Sequence, residues 1–171
     1  MGAQESEISA LADLDDVIRG FLSRNEFLHE FRLQKLIYLA ELVAQKEHER
    51  RLTDADYKPF MFGAYSEDVS NQLEDIESEA NTRAATHHGK VVTEFLDPDQ
   101  EPETSSEVED ILDKVQNHVQ AKKISSKDFG QWSKESWLYE NTPFEREMSF
   151  ERYQTEARDA LDEDLDPFGL T

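Results

Sequence analysis

The chain has 171 residues, with 39 Asp or Glu against 18 Lys or Arg and a formal net charge of −21. That length carries one domain with a sizeable core rather than two. It has no cysteine, which excludes disulfides, thiolate nucleophiles and cysteine-ligated zinc, and no apolar run approaches the ~18 residues of a membrane span.

The charged fraction is 33%, above the usual ~25% of soluble domains. Acidic excess of this size strains a compact state in dilute salt. In molar salt the Debye length falls to ~3 Å and the strain nearly vanishes. The excess is spread along the chain with no long run, whereas an acidic mimic of nucleic acid would concentrate it. The pattern therefore suits a cytoplasm rich in KCl, that of a halophilic, archaeal source. Met1 to Ser9 is polar and acidic, without the apolar core of an export signal, so the expected location is cytoplasmic.

In chain order, Ile8, Leu11, Leu14, Ile18, Phe21 and Leu22 recur at helical spacing and predict an amphipathic helix from Ile8 to Leu22, ending near Asn25. The strongest helix is predicted from Glu30 to about His48. Apolar residues cover more than half its circumference, which marks a central helix. Thr53 to Asp56 reads as a turn. Tyr57 to Phe62 reads as a short extended segment, in which Pro59 biases Lys58 away from helix and limits pairing. Ser66 is a good N-cap for a helix carrying Val69, Leu73 and Ile76, with Glu67 and Asp68 in its first turn.

Thr86 to Leu96 alternates like a strand and forms half of a hairpin turning near Gly89. A polar loop follows. Ser106 then caps a helix from Glu107 to Lys122, and Ser125 or Ser126 starts another that reaches Trp132. Trp137 to Pro143 is expected to be irregular. A last amphipathic piece spans Ser149 to Leu161. The expected organisation is one domain over 1–161 and an acidic flexible tail over 162–171. The fold class is α+β, mostly α: about six helices with a small β-hairpin. The helix–helix–helix–hairpin order also admits a winged-helix-like core.

Few residues suggest chemistry. His87 and His88 are adjacent in a strand, point to opposite faces and chelate one metal poorly. No glycine-rich phosphate loop and no local nucleophile motif is present. The expectation is no catalytic residue, no metal and no cofactor. Basic residues cluster sparsely, and DNA binding needs several phosphate contacts that weaken with salt. A winged-helix DNA-binding regulator is thus the second choice. It would present a basic face built from Arg32, Lys35, Arg50, Arg51, Lys90 or Lys123.

Aromatic residues are more informative. Tyr57, Phe60, Phe62 and Tyr65 crowd one stretch, and Trp132, Trp137, Tyr139 and Phe144 another. Aromatic anchors are what protein-binding surfaces use, but large rings also dominate small cores. Phe60, Phe62 and Trp132 lean to the core; Tyr65, Trp137 and Tyr139 lean to the surface.

Two blocks, Arg32-Leu33-Gln34-Lys35-Leu36-Ile37-Tyr38-Leu39-Ala40-Glu41 and Tyr57-Lys58-Pro59-Phe60-Met61-Phe62-Gly63-Ala64-Tyr65-Ser66-Glu67-Asp68-Val69, resemble the SocA-like antitoxin family, the Panacea domain. They are equally similar to the related YwgA-like proteins. The resemblance covers 30–77 well and Ser126 to Trp137 loosely, and it departs at Ala64, where the family usually has proline. It implies a non-enzymatic protein that binds another protein, a toxin or a protease substrate, as antitoxin or proteolytic adaptor. A homodimer is possible in such a protein, a membrane role is not expected, and nucleic acid is the less favoured partner. The motif positions are Gln34, Lys35, Tyr38, Phe62, Gly63 and Tyr65. With Trp132 and Trp137 from the second aromatic cluster, they are the candidate partner-binding residues. Gln34 and Tyr38 share a helix face, and Lys35 in an apolar helix needs a partner or a route to solvent. Each of these roles serves architecture as well as binding, and the structural role is favoured.

Overall fold

The computed structural model describes residues 9–79 and 104–171, together with the backbone of two strands at 82–87 and 90–95. Among these residues are eight α-helices and two separate two-stranded antiparallel sheets, a mostly-α α+β architecture. The elements are α1 (Leu14–Arg24), α2 (Glu30–His48), β1 (Lys58–Phe60), β2 (Gly63–Tyr65), α3 (Glu67–Glu77), β3 (Thr82–His87), β4 (Lys90–Phe95), α4 (Ser106–Ala121), α5 (Ser126–Glu135), α6 (Trp137–Glu140), α7 (Arg152–Glu156) and α8 (Arg158–Leu165), closed by a 3-10 turn, Asp166–Phe168.

Helix α2 is the axis of the fold. Every residue from Leu33 to Gln45 on it is buried, and α1, α4, α5 and α8 all pack on it. Its N-terminus is capped by His29, whose Nδ1 accepts the Arg32 N–H at 3.3 Å. It ends where Glu49 adopts a left-handed conformation, φ 52°. A helix buried on all sides must also accommodate its polar residues, and Glu41, wholly buried, shows how. Arg51 grips both of its carboxylate oxygens at 2.9 and 3.1 Å. The Leu52 and Thr53 N–H groups and the Thr53 hydroxyl complete its shell at 2.8, 3.1 and 2.7 Å. The loop after α2 is thereby pinned back onto the helix.

Several elements differ from expectation for local reasons. The first helix starts at Leu14, because the Leu11 and Ala12 N–H groups are given instead to the carbonyls of Arg51 and Leu52; Ile8 lies outside the described residues. The extended segment at 57–62 is one arm of a hairpin, with Lys58 opposite Tyr65 and Phe60 opposite Gly63. The second hairpin pairs Thr82 with Phe95 and His87 with Lys90; its turn near Gly89, including His88, is outside the described residues. Ser105, not Ser106, caps α4, and Ser125 caps α5. Trp137–Glu140 is a short helix rather than irregular chain.

The last segment is interrupted at Ala157, φ −153° and ψ 54°, into α7 and α8. The expected flexible tail from Asp162 is helical and docked. Leu165 and Phe168 are buried, and the Phe168 ring lies edge-on to Trp132 at 4.8 Å. The apolar residues that hold this segment are single positions among acids, too few to show as a stripe.

Candidate functional site

Three of the singled-out residues, Gln34, Lys35 and Tyr38, lie on the buried face of α2. Their polar ends fasten neighbouring elements. The Gln34 amide clamps the backbone of Ser66: it accepts the Ser66 N–H at 2.9 Å and donates to the Ser66 carbonyl at 2.8 Å. It thus supplies both hydrogen bonds that a neighbouring strand would. The freed Ser66 hydroxyl caps α3 by accepting the Val69 N–H. Lys35 Nζ donates to the Ala64 carbonyl at 2.8 Å and sits 4.7 Å from the centre of the Phe31 ring. Burial, assisted by the charge of Lys134, pushes the Lys35 ammonium down to about 8. Tyr38 reaches Ser136 at 2.7 Å. Because the Ser136 hydroxyl donates to the Ser133 carbonyl, the phenol is the donor. Its burial raises the Tyr38 pKa above the ordinary phenol value.

Gly63 joins this network from the hairpin. Its φ is 117°, a conformation that disfavours any side chain. A Cβ there would also lie 2.1 Å from Ser133 Oγ. The space is needed because Ser133 Oγ accepts the Ala64 N–H at 3.2 Å and donates to the Gly130 carbonyl at 2.9 Å. Helix α5 and the β1–β2 hairpin are therefore joined by one serine hydroxyl at a point where glycine alone fits.

Trp132 is also a core residue. Its ring meets Tyr38, Phe129 and Phe168, and its indole N–H donates to the Asp164 carbonyl. Trp137 is half-buried, with its ring against Tyr153 and under the Arg152 guanidinium. The Asp164 carboxylate accepts the Trp137 N–H at 3.0 Å and the Tyr153 hydroxyl at 2.6 Å, and burial raises the Asp164 pKa. Tyr65 is half-buried against Phe60.

Phe62 reverses its expected placement: it is 67% exposed, beside Met61 at 60%. Both occupy the turn between β1 and β2, where the tight connection leaves their side chains no core to enter. Phe144, 55% exposed, stacks on the half-buried Phe60 at 5.8 Å. Its segment is held to β1 by the Glu145 N–H, which donates to the Pro59 carbonyl. Among the described residues these three are the exposed large apolar side chains.

Two recesses flank the hairpin. One, of about 280 Å³, is lined by Phe31, Phe62, Lys127, Gly130, Gln131 and Lys134. The other, of about 210 Å³, holds the carboxylates of Asp56, Glu67, Asp68, Glu145 and Glu147; repulsion from Asp56 raises the Glu147 pKa. Among the described residues no group of three or more His, Asp or Glu side chains could hold a metal ion, and no helix is long and apolar enough to cross a membrane.

The residues of the expected basic face are dispersed. Lys35 is buried, Arg51 is committed to Glu41, Arg32 binds the Ser126 hydroxyl, and Arg50 binds the Ser9 carbonyl. The Lys90 side chain lies outside the described residues. Sequence reasoning also missed Glu41, Ser133 and Ser136. A lone carboxylate inside a long apolar helix was a usable signal for Glu41; ordinary serines gave none.

Compared with known families, residues 33–138 match the model of the SocA-like antitoxin, Panacea domain. The match runs from α2 through both hairpins and α5 to the start of α6. No curated protein and no solved structure is similar enough to match.

Proposed function

The chain belongs to the SocA-like antitoxin family, the Panacea domain, and on that premise we propose that it is a non-enzymatic, antitoxin-like protein that neutralises a toxin by binding it. The observation that carries this reading is the exposed Met61–Phe62 turn. Two large apolar side chains are held out on a hairpin whose base is fixed by Gln34, Lys35 and Ser133. Pre-organised aromatic anchors surrounded by polar surface are the usual source of binding energy in protein interfaces. The polar residues Gln34 and Lys35 of α2 aim the hairpin; the turn and Phe144 meet the partner. Half-buried Tyr65, whose ring lies against the Phe60 that carries Phe144, stands at the edge of this surface, whereas Trp137 and Trp132 pack against Tyr153 and Phe168.

The test is coexpression with the product of an adjacent toxin-like reading frame. The chain should restore growth, and a Met61→Ser, Phe62→Ser double variant should not, although its melting temperature stays within a few degrees of the parent's. Equal rescue by the variant would remove the turn from the interface. Two finer forms of the reading separate in the same cells. Direct neutralisation leaves the toxin's half-life unchanged, whereas presentation to a protease shortens it. Sedimentation of the complex then decides whether one copy of the chain or a homodimer is engaged.

The charge of −21 supports a second element of the proposal, adaptation to concentrated intracellular salt. Repulsion on this scale is screened at molar ionic strength. The melting temperature should rise from dilute buffer to molar KCl, and a flat profile would end this part of the reading.

A further inference from the structure

The recess beside Phe62 carries a charge opposite to that of the molecule. Lys127 and Lys134 line it, and no carboxylate does. Three other lysines are paired: Lys46 with Asp162, Lys58 with Glu67, Lys114 with Glu47. Lys127 and Lys134 have no ion pair with a described residue, and neither has Lys35, whose ammonium lies beneath the same recess against Phe31. Lys122 and Lys123 likewise have no ion pair with a described residue, but they stand on the open turn after α4. What sets this groove apart, in a chain with 39 acidic residues, is that three such lysines gather around one apolar recess with no carboxylate in its lining.

The groove's shape is set by a glycine. A Cβ on Gly130 would fall 2.6 Å from Phe31 Cζ, so its absence lets the Phe31 ring lie against the α5 backbone. Phe31 and Phe62 then form two aromatic walls over a bare floor. Lys127 and Lys134 are seven residues apart on one face of α5, hence ~10 Å along the helix at 1.5 Å per residue. In a peptide in the polyproline II conformation, with three residues per turn and a rise of ~3.1 Å each, carboxylates three positions apart share a face and lie ~9 Å apart.

We propose that this groove binds an acidic–aromatic segment of the partner polypeptide, with an aromatic side chain between Phe31 and Phe62 and two acidic residues, three positions apart, on Lys127 and Lys134. This rests on the protein-binding reading above and names the chemistry its partner must show. The seated carboxylates relieve the repulsion between Lys134 and Lys35. At molar salt a Debye length of ~3 Å still leaves ion pairs in direct contact effective, and the ring contact is unaffected.

Fluorescence anisotropy with three short labelled peptides tests it on the whole chain. One carries Glu-Phe-Leu-Glu in a Gly/Ser context. The second replaces both glutamates by lysine, and the third replaces Phe and Leu by serine. The first should bind at least about tenfold tighter than either control, a difference of ~1.4 kcal/mol. Lys127→Glu with Lys134→Glu should transfer that preference to the lysine peptide, and Phe62→Ser should weaken both. Equal binding of all three, no binding of the first, or an acidic preference that survives charge reversal would each overturn the proposal. The growth assay separates this failure from failure of the parent reading. Rescue that survives Lys127→Glu/Lys134→Glu but is lost in Met61→Ser/Phe62→Ser overturns the groove and leaves the antitoxin reading intact. Loss of rescue in both variants supports the groove.

Discussion

The two halves of α2 treat a buried charge differently. Towards the C-terminus, Glu41 is surrounded by five donors from Arg51, Leu52 and Thr53. Six residues earlier, Lys35 has one carbonyl and one ring face. A fully paired buried ion is a fastening and nothing more, because every acceptor site is used. An ammonium held by a neutral carbonyl keeps unspent capacity for an anion, and it stands where α2, α5 and the hairpin converge on exposed apolar surface. The lesson is that burial alone does not separate architecture from site. What separates them is whether the chain itself has already satisfied the charge.

The largest effect should come from breaking the satisfied end. Glu41→Ala leaves Arg51 and two loop N–H groups without their acceptor, and removing one partner of a buried pair costs about 3–5 kcal/mol. Urea unfolding should show that loss; a cost under about 1 kcal/mol would mean the network is slack. Next is the joint between hairpin and α5. Gly63→Ala places a methyl group at φ 117° and 2.1 Å from Ser133 Oγ, so backbone strain and overpacking together should cost about 2–4 kcal/mol, again read by urea.

The under-satisfied end should show a smaller, pH-dependent effect. In the folded chain Lys35 titrates at about 8, against 10.5 when unperturbed. Between these values the unfolded chain holds a proton that the folded chain has released, so stability rises with pH across that window. Below about 8 both states are charged and the penalty of burying the ammonium is fully present. The parent should therefore gain stability relative to Lys35→Met between pH 8 and 10, on the order of 2 kcal/mol, measured as parallel urea midpoints. Parallel profiles would place a carboxylate near Lys35 in solution. The comparison with Glu41 would then collapse.

Much of the helical scaffold was legible because it depends on local rules. The apolar girth of Leu33 to Val43 marks α2 as central, and Ser66 announces the start of α3 through its own hydroxyl. The motif residues Gln34, Lys35, Tyr38 and Gly63 were also identified, but not their division of labour, since a polar residue in an apolar helix reads alike whether it clamps a strand or meets a ligand. Phe62 was misplaced for a related reason: hydrophobicity favours burial for any phenylalanine, and a two-residue turn can deny it. Phe168 failed in the opposite sense, because an isolated apolar residue in an acidic stretch gains its burial from the partners Trp132 and Phe129 offer across the fold.

By itself, then, the amino-acid order determined the properties that arise within a few turns of chain: helix periodicity, caps, the proline-biased extended segment, the absence of thiol chemistry and the acidic excess. Tertiary structure alone decided which polar groups find partners, which rings are left outside, and that three lysines without an ion pair among the described residues meet around Phe31 and Phe62. These depend on contacts between residues about 30 to 100 positions apart, such as Gln34 with Ser66 and Tyr38 with Ser136, and no local pattern encodes a distance that the packing of other helices sets.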